Sequence, residues 1–170
     1  HVLEVTREGI WDWHLPSGRL TLSQRWHTLF GYDPAEFSGT LDDFWCCVPD
    51  EERADVQRAL DDCRAGRSTY LQEHHMRRKD GRLLWVQDRG RVVERAPDGQ
   101  PLRMVGSIGD ITQQKRAQDL IWQQANYDTL TGLPNRNMFL TRLQQEMSRS
   151  DGTGQSMALL MLDLDNFKEV

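Results

Sequence analysis

The period of apolar and polar positions changes several times along the chain, and each change marks a predicted element. Ile10, Trp11, Asp12, Trp13 and His14 form a β-prone run, Pro16-Ser17-Gly18 is turn chemistry, and Leu20, Thr21 and Leu22 resume a strand. Residues 9–22 therefore read as a hairpin. Ser23 is placed to cap a short helix with Trp26, Leu29 and Phe30 at i, i+3, i+4 spacing, stopped by Gly31. Asp33-Pro34 starts another turn, and Phe37, Leu41, Phe44, Trp45 and Val48 anchor short helical pieces. Residues 50–65 read as the clearest helix, capped by Asp50 with Glu51 and Glu52 in its first turn and closed by Gly66. Val56, Ala59, Leu60 and Cys63 give it one apolar stripe.

After residue 68 the period becomes two. Residues 69–79, 83–95 and 101–111 read as strands, separated by Asp80-Gly81 and Asp98-Gly99 turns. Five strands with intervening helices on one side predict an α+β fold around an antiparallel sheet. From Gln113 to about Ala125 there is neither Gly nor Pro, which predicts a helix. Its seam of Ala117, Leu120, Gln124 and Tyr127 leaves open a short coiled coil or a linker helix packed on its own sheet. Leu130 to Asn135 is turn-rich. Asn137–Met147 reads as an amphipathic helix, 150–155 as a polar loop, and Ala158–Leu162 as a strand buried on both faces that runs into Asp163-Leu164-Asp165. The expected division is 1–112, a linker helix at 113–127, and the start of a second, α/β domain over 128–170.

Composition narrows the class. With 170 residues, 38% hydrophobic and six Trp, the chain has material for a packed core. A net charge of −5 makes it a poor nucleic-acid binder. No run approaches the roughly 20 apolar residues that span a bilayer, and no leader opens it. The expected setting is cytoplasmic, with tethering of a parent protein left open. Three cysteines without metal spacing read as thiols in a reducing compartment.

Several segments up to residue 112 resemble the PAS sensor family. They are Gly9-Ile10-Trp11-Asp12-Trp13, Phe30-Gly31-Tyr32, Pro49-Asp50-Glu51-Glu52-Arg53, Arg78-Lys79-Asp80-Gly81-Arg82-Leu83-Leu84-Trp85-Val86 and Gly109-Asp110-Ile111-Thr112. The remainder resembles the start of a GGDEF domain, the bacterial diguanylate cyclase family. Asp128-Thr129-Leu130-Thr131-Gly132-Leu133-Pro134-Asn135-Arg136 resembles its entry motif, and Leu162-Asp163-Leu164-Asp165-Asn166-Phe167-Lys168 its first strand and the turn beyond.

The GGDEF resemblance implies two GTP molecules joined into cyclic di-GMP with Mg²⁺. It implies Asp163 and the main chain of Leu164 as metal ligands, and Asn166, Phe167 and Lys168 near the phosphates. The signature hairpin is absent from this sequence, so the segment by itself is expected to be inactive. The PAS resemblance implies a small cavity. Trp11, Trp13, His74, Met76 and Trp85 are its candidate lining, with Tyr70, Gln72, His74 and Met76 on one strand face and Glu73 and His75 on the other. A flavin remains open, although no Asn-Cys-Arg tripeptide occurs. Haem is less favoured, because residues 50–65 hold no His, and an empty cavity also remains open.

Three functions compete. In the first, the PAS unit regulates a cyclase through the linker helix, with Asp110, Ile111 and Thr112 as anchor and Asp128, Leu130 and Thr131 at the far end; such a protein works as a homodimer. In the second, the parent protein carries an additional EAL domain and hydrolyses cyclic di-GMP. In the third, the PAS unit only dimerises.

Overall fold

A computed structural model describes residues 8–165. The chain divides into two compact units, His1–Arg116 and Ala117–Val170.

The first unit is built on a five-stranded antiparallel sheet. Its strands are β1 (Gly9–His14), β2 (Arg19–Leu22), β3 (Tyr70–Arg77), β4 (Leu83–Arg95) and β5 (Pro101–Asp110), in spatial order β2-β1-β5-β4-β3. The hairpins β1–β2, β3–β4 and β4–β5 follow from local turn chemistry. The pairing of β1 with β5, Trp11 opposite Gly106 and Trp13 opposite Met104, joins the two ends of the unit. Helices α1 (Gln24–Phe30), α2 (Leu41–Cys47) and α3 (Asp50–Arg64) supply the other half of the core. Trp26 and Phe30 of α1, Phe44 and Cys47 of α2, and Val56, Leu60 and Cys63 of α3 are buried with Trp11, Trp13, Tyr70, Met76, Val86, Met104 and Ile108 of the sheet. Strand alternation and helical periodicity thus direct their apolar positions into one cluster.

The predicted cap of the longest sensor helix is corrected. Pro49 is the N-cap of α3 and Asp50 is its first helical residue, without a side-chain cap bond. Proline's fixed φ suits it to a helix entrance, and Asp50, Glu51 and Glu52 then lie against the positive end of the helix dipole.

Helix α4 (Thr112–Asn126) follows β5, and α5 (Arg136–Thr153) follows the turn-rich loop. The polar loop expected from residue 150 starts later. Helix α5 continues to Thr153, and Gly154 ends it at φ +68°, a left-handed conformation that glycine adopts without a Cβ penalty. The strand expected at 158–162 is also absent: residues 155–164 carry neither helix nor strand, and Leu160, Met161 and Leu162 are exposed. A strand needs a neighbour to take its backbone hydrogen bonds, and this segment pairs with none among the described residues.

Candidate functional site

The inner sheet face carries a buried polar network. Asp88 of β4 is 2% exposed. Its Oδ1 accepts the Trp11 indole N–H at 2.7 Å and its Oδ2 accepts the Tyr70 hydroxyl at 3.0 Å. Burial and the Asp88 charge push the Tyr70 hydroxyl far above its ordinary range, so it remains a donor. His74 of β3 is buried beside them. Its Nδ1 lies 3.0 Å from the His75 carbonyl, and its Nε2 lies 3.8 Å from Asp88 Oδ2. The edge of its ring faces Phe44 at 6.3 Å between centroids.

The expected pocket is mostly filled. Between sheet and helices there is a cavity of about 20 Å³, lined by Trp11, Trp13, Leu20, Trp26, Phe44 and Leu60 among others. Organic-ligand pockets run to about 300–1,000 Å³. Neither a flavin nor a haem fits without displacing these side chains. Of the candidate lining, Trp11 and Trp13 border this cavity, whereas His74 and Met76 are inward and buried without lining it, because packed neighbours fill the space around them. Trp85 is not part of this lining. Val86 and Asp88 point inward, so alternation sends Trp85 to the opposite face, opposite His75.

That outer face forms a second cluster, at the junction with α4. The His75 and Trp85 rings are 4.0 Å apart, and Lys115 Nζ lies 5.1 Å from the Trp85 centroid and 2.5 Å from Glu73. Trp85 also anchors the start of α4. Its carbonyl accepts the Ile111 N–H at 2.9 Å, and its own N–H donates to Thr112 Oγ1 at 3.0 Å. Asp110 Oδ1 accepts the Thr112 N–H at 2.8 Å. Asp110, Ile111 and Thr112 therefore extend the β4–β5 ladder into the first turn of the helix. Thr112→Val removes the acceptor for Trp85 N–H and is expected to cost about 1–2 kcal/mol. Native-state hydrogen exchange checks this: Trp85 and the first-turn amides of α4 should exchange faster than those of β3.

Glu52 of α3 tethers the edge strand β3, accepting the His75 backbone N–H at 2.7 Å and facing its ring Nδ1 at 2.6 Å. Desolvation raises its pKa, the His75 contacts lower it, and the net result is below the ordinary 4.5. A carboxyl depressed by folding contributes stability that is full above that value and lost as pH falls through its folded pKa. Urea midpoints at pH 6 and pH 4 should therefore fall more in the parent protein than in Glu52→Gln.

In the second unit, Asp128 organises the loop before α5. Its Oδ1 accepts the Thr131 hydroxyl and the N–H groups of Thr131 and Leu130 at 2.7, 2.8 and 3.2 Å. The Thr131 hydroxyl, then these N–H groups, hold the carboxyl below its ordinary range. The Leu130 side chain is 92% exposed. Asp163 is in the irregular segment, where its Oδ1 accepts the Leu164 N–H at 2.9 Å. The described residues hold no cluster of three His, Cys, Asp or Glu able to bind a metal. Asp163 and Leu164 alone do not complete an Mg²⁺ site. Asn166, Phe167 and Lys168 lie outside the described residues.

Sequence reasoning missed Asp88, Glu52 and Lys115. Strand phase was the available signal for Asp88, because it follows Val86 by two; Glu52 and Lys115 gave none, being two charges on surface-patterned helices.

Comparisons with known proteins match this architecture. The PAS fold family matches residues 19–108, and the family described as "Diguanylate cyclase, GGDEF domain" matches residues 125–170. The chain belongs to the PAS fold family, with the beginning of a GGDEF domain following the PAS unit. Among relatives, an uncharacterized protein y4lL of Sinorhizobium fredii is 35% identical over 129 residues, 72% of this chain and 15% of that protein. The cyclic di-GMP phosphodiesterase PdeR of Escherichia coli is 34% identical over 82 residues, 48% of this chain and 12% of PdeR. The diguanylate cyclase DgcP of Pseudomonas aeruginosa is 46% identical over 48 residues, 28% of this chain and 7% of DgcP. The chain thus spans a small part of each relative. A sensory box histidine kinase/response regulator from Burkholderia thailandensis superposes with a TM-score of 0.59 at 28% identity, covering 84% of this chain and 91% of that one. No helix among the described residues is long and apolar enough to cross a membrane.

Proposed function

We propose that this chain is the sensory and coupling part of a protein that turns over cyclic di-GMP, in the first place a diguanylate cyclase. One observation carries the reading. The PAS sheet runs through Asp110-Ile111-Thr112 into α4, and the GGDEF match begins at residue 125, inside that same helix. A change in the sensor that alters how Trp85 holds Ile111 and Thr112 shifts the start of α4. A helix is stiff enough to carry that shift towards the cyclase segment. Each cyclase domain binds one GTP and the product joins two, so the active form is a homodimer whose arrangement α4 sets. On this reading residues 1–112 sense, 113–127 couple and 128–170 open the catalytic domain. Asp163 and Leu164 are the first parts of its nucleotide site, and Asn166, Phe167 and Lys168 lie beside the phosphates. A setting in the bacterial cytoplasm is part of the same proposal.

The similarity to PdeR supports a second reading, in which the parent protein hydrolyses cyclic di-GMP. The test is to incubate the full-length protein separately with GTP and with cyclic di-GMP, and to record its native mass. Cyclic di-GMP made from GTP by a dimer is the expected result. Hydrolysis without synthesis selects the second reading, and neither activity overturns both.

A further inference from the structure

With about 20 Å³ of free space, the sensor interior has no room for an organic ligand. A signal that reaches α4 without such a ligand has to travel through packed side chains, and the outer sheet face offers an unbroken run of them. It starts at Glu52, in the first turn of α3. Glu52 accepts the His75 backbone N–H at 2.7 Å, and its other oxygen lies 2.6 Å from the ring Nδ1. A carboxylate only accepts, so Nδ1 donates, and the imidazole is held from the α3 side. The His75 ring lies against Trp85 of β4, with 4.0 Å between centroids. Beyond Trp85 comes Lys115 of α4, whose Nζ is 5.1 Å from the indole centroid, within cation–π range. Glu73 of β3 holds Lys115 there at 2.5 Å, and Gln87 of β4 donates to the same carboxylate at 3.4 Å.

Glu52, His75, Trp85 and Lys115 are all half-buried, which protects their contacts from the screening that weakens an exposed pair. The near end of the run is braced as well. Arg53, next to Glu52, donates to the carbonyls of Trp45 and Val48 at 2.9 and 3.1 Å. The first turn of α3 is thereby tied to the end of α2.

We infer that Glu52, His75, Trp85 and Lys115 form a relay through which a displacement of α3 at the surface, rather than a ligand in the interior, sets the start of α4. The inference rests on the coupling reading above and names its regulation. When Glu52 leaves His75, the imidazole is free to turn off Trp85. Lys115 then loses the ring seat that, together with Glu73, fixes the first turn of α4. Glu52 and Lys115 act here as positioning residues, through the two rings between them.

A double-mutant cycle tests the relay, because spatial adjacency alone does not establish coupling. The readout is hydrogen exchange of this chain at single-amide resolution. The Ile111 and Lys115 amides, bonded to the Trp85 and Ile111 carbonyls at 2.9 Å, report on the start of α4. The Trp13 amide of β1, off the relay, reports global loosening. Glu52→Ala should accelerate the two α4 reporters at least about threefold relative to Trp13, but less than about 1.5-fold when Lys115→Met or Trp85→Leu is already present. Equal acceleration in every background, acceleration shared by Trp13, or none at all overturns the relay. A second arm measures cyclic di-GMP formation from GTP by the full-length protein. Glu52→Ala and Lys115→Met should shift it in the same direction by at least about threefold, while Lys115→Arg, which keeps a cation for both Glu73 and Trp85, stays within about twofold of the parent. Opposite shifts, or none, overturn the relay as regulation. Absence of turnover in the parent protein too counts against the cyclic di-GMP reading instead, and the exchange cycle still decides the relay.

Discussion

Gly106→Ala is expected to lower the unfolding free energy of the sensor unit by about 3 kcal/mol, the upper range for overpacking a filled core. A Cβ at this position falls far inside van der Waals contact of both the Arg89 carbonyl and the Trp11 ring. Neither neighbour can yield cheaply. The carbonyl belongs to β4, an interior strand paired on both sides, and the Trp11 ring is held by its hydrogen bond to Asp88. Turning the ring away would take from that carboxylate one of its two donors, so the strain passes into the polar network. Gly90 lies under the far edge of the same ring. Urea unfolding followed by circular dichroism checks the magnitude, and tryptophan fluorescence of the folded variant reports whether Trp11 has moved. A loss below about 0.5 kcal/mol would mean that Trp11 is not seated on these glycines.

Trp26→Ala is expected to cost about 3–5 kcal/mol, as other buried tryptophan truncations do. Trp26 is 1% exposed, with Phe30 at 4.6 Å and Phe37 at 5.2 Å between ring centroids. It also fixes how α1 lies on the sheet, since a Cβ on Gly9 would come within 2.7 Å of Trp26 Cα. Its removal opens a void beside the existing small cavity and loosens α1 from β1. Trp122→Ala is the control. That side chain is 53% exposed on α4, and its loss should change stability by less than about 0.5 kcal/mol. Thermal unfolding of both variants separates core from surface tryptophan directly.

The contrast between these two tryptophans shows where sequence reading succeeds. Trp26 was legible because its spacing with Leu29 and Phe30 gave a helical face next to a cap and a glycine stop. The hairpins were legible because Asp-Gly turns and period-two runs are local chemistry. Trp85 was grouped with Trp11 and Trp13 by residue type, and the structure separates it from them by strand phase. Nothing local says which alternate face of β4 meets the helices. The segment 158–162 was misread for a related reason. An apolar run has strand propensity, but only a neighbouring strand makes it one.

By itself the sequence determined the elements of the sensor unit, the positions of its turns and of the Ser23 cap, and the two families that its motifs resemble. These depend on contacts between near neighbours, which periodicity and turn residues report. Only the tertiary structure decided that β1 closes against β5, that the cavity is too small for a flavin or haem, and that Trp11, Tyr70, His74 and Asp88 meet on the inner sheet face. Those outcomes depend on the volume left between packed layers and on pairings across 77 residues, as between Trp11 and Asp88. Neither quantity is written in any local stretch of chain.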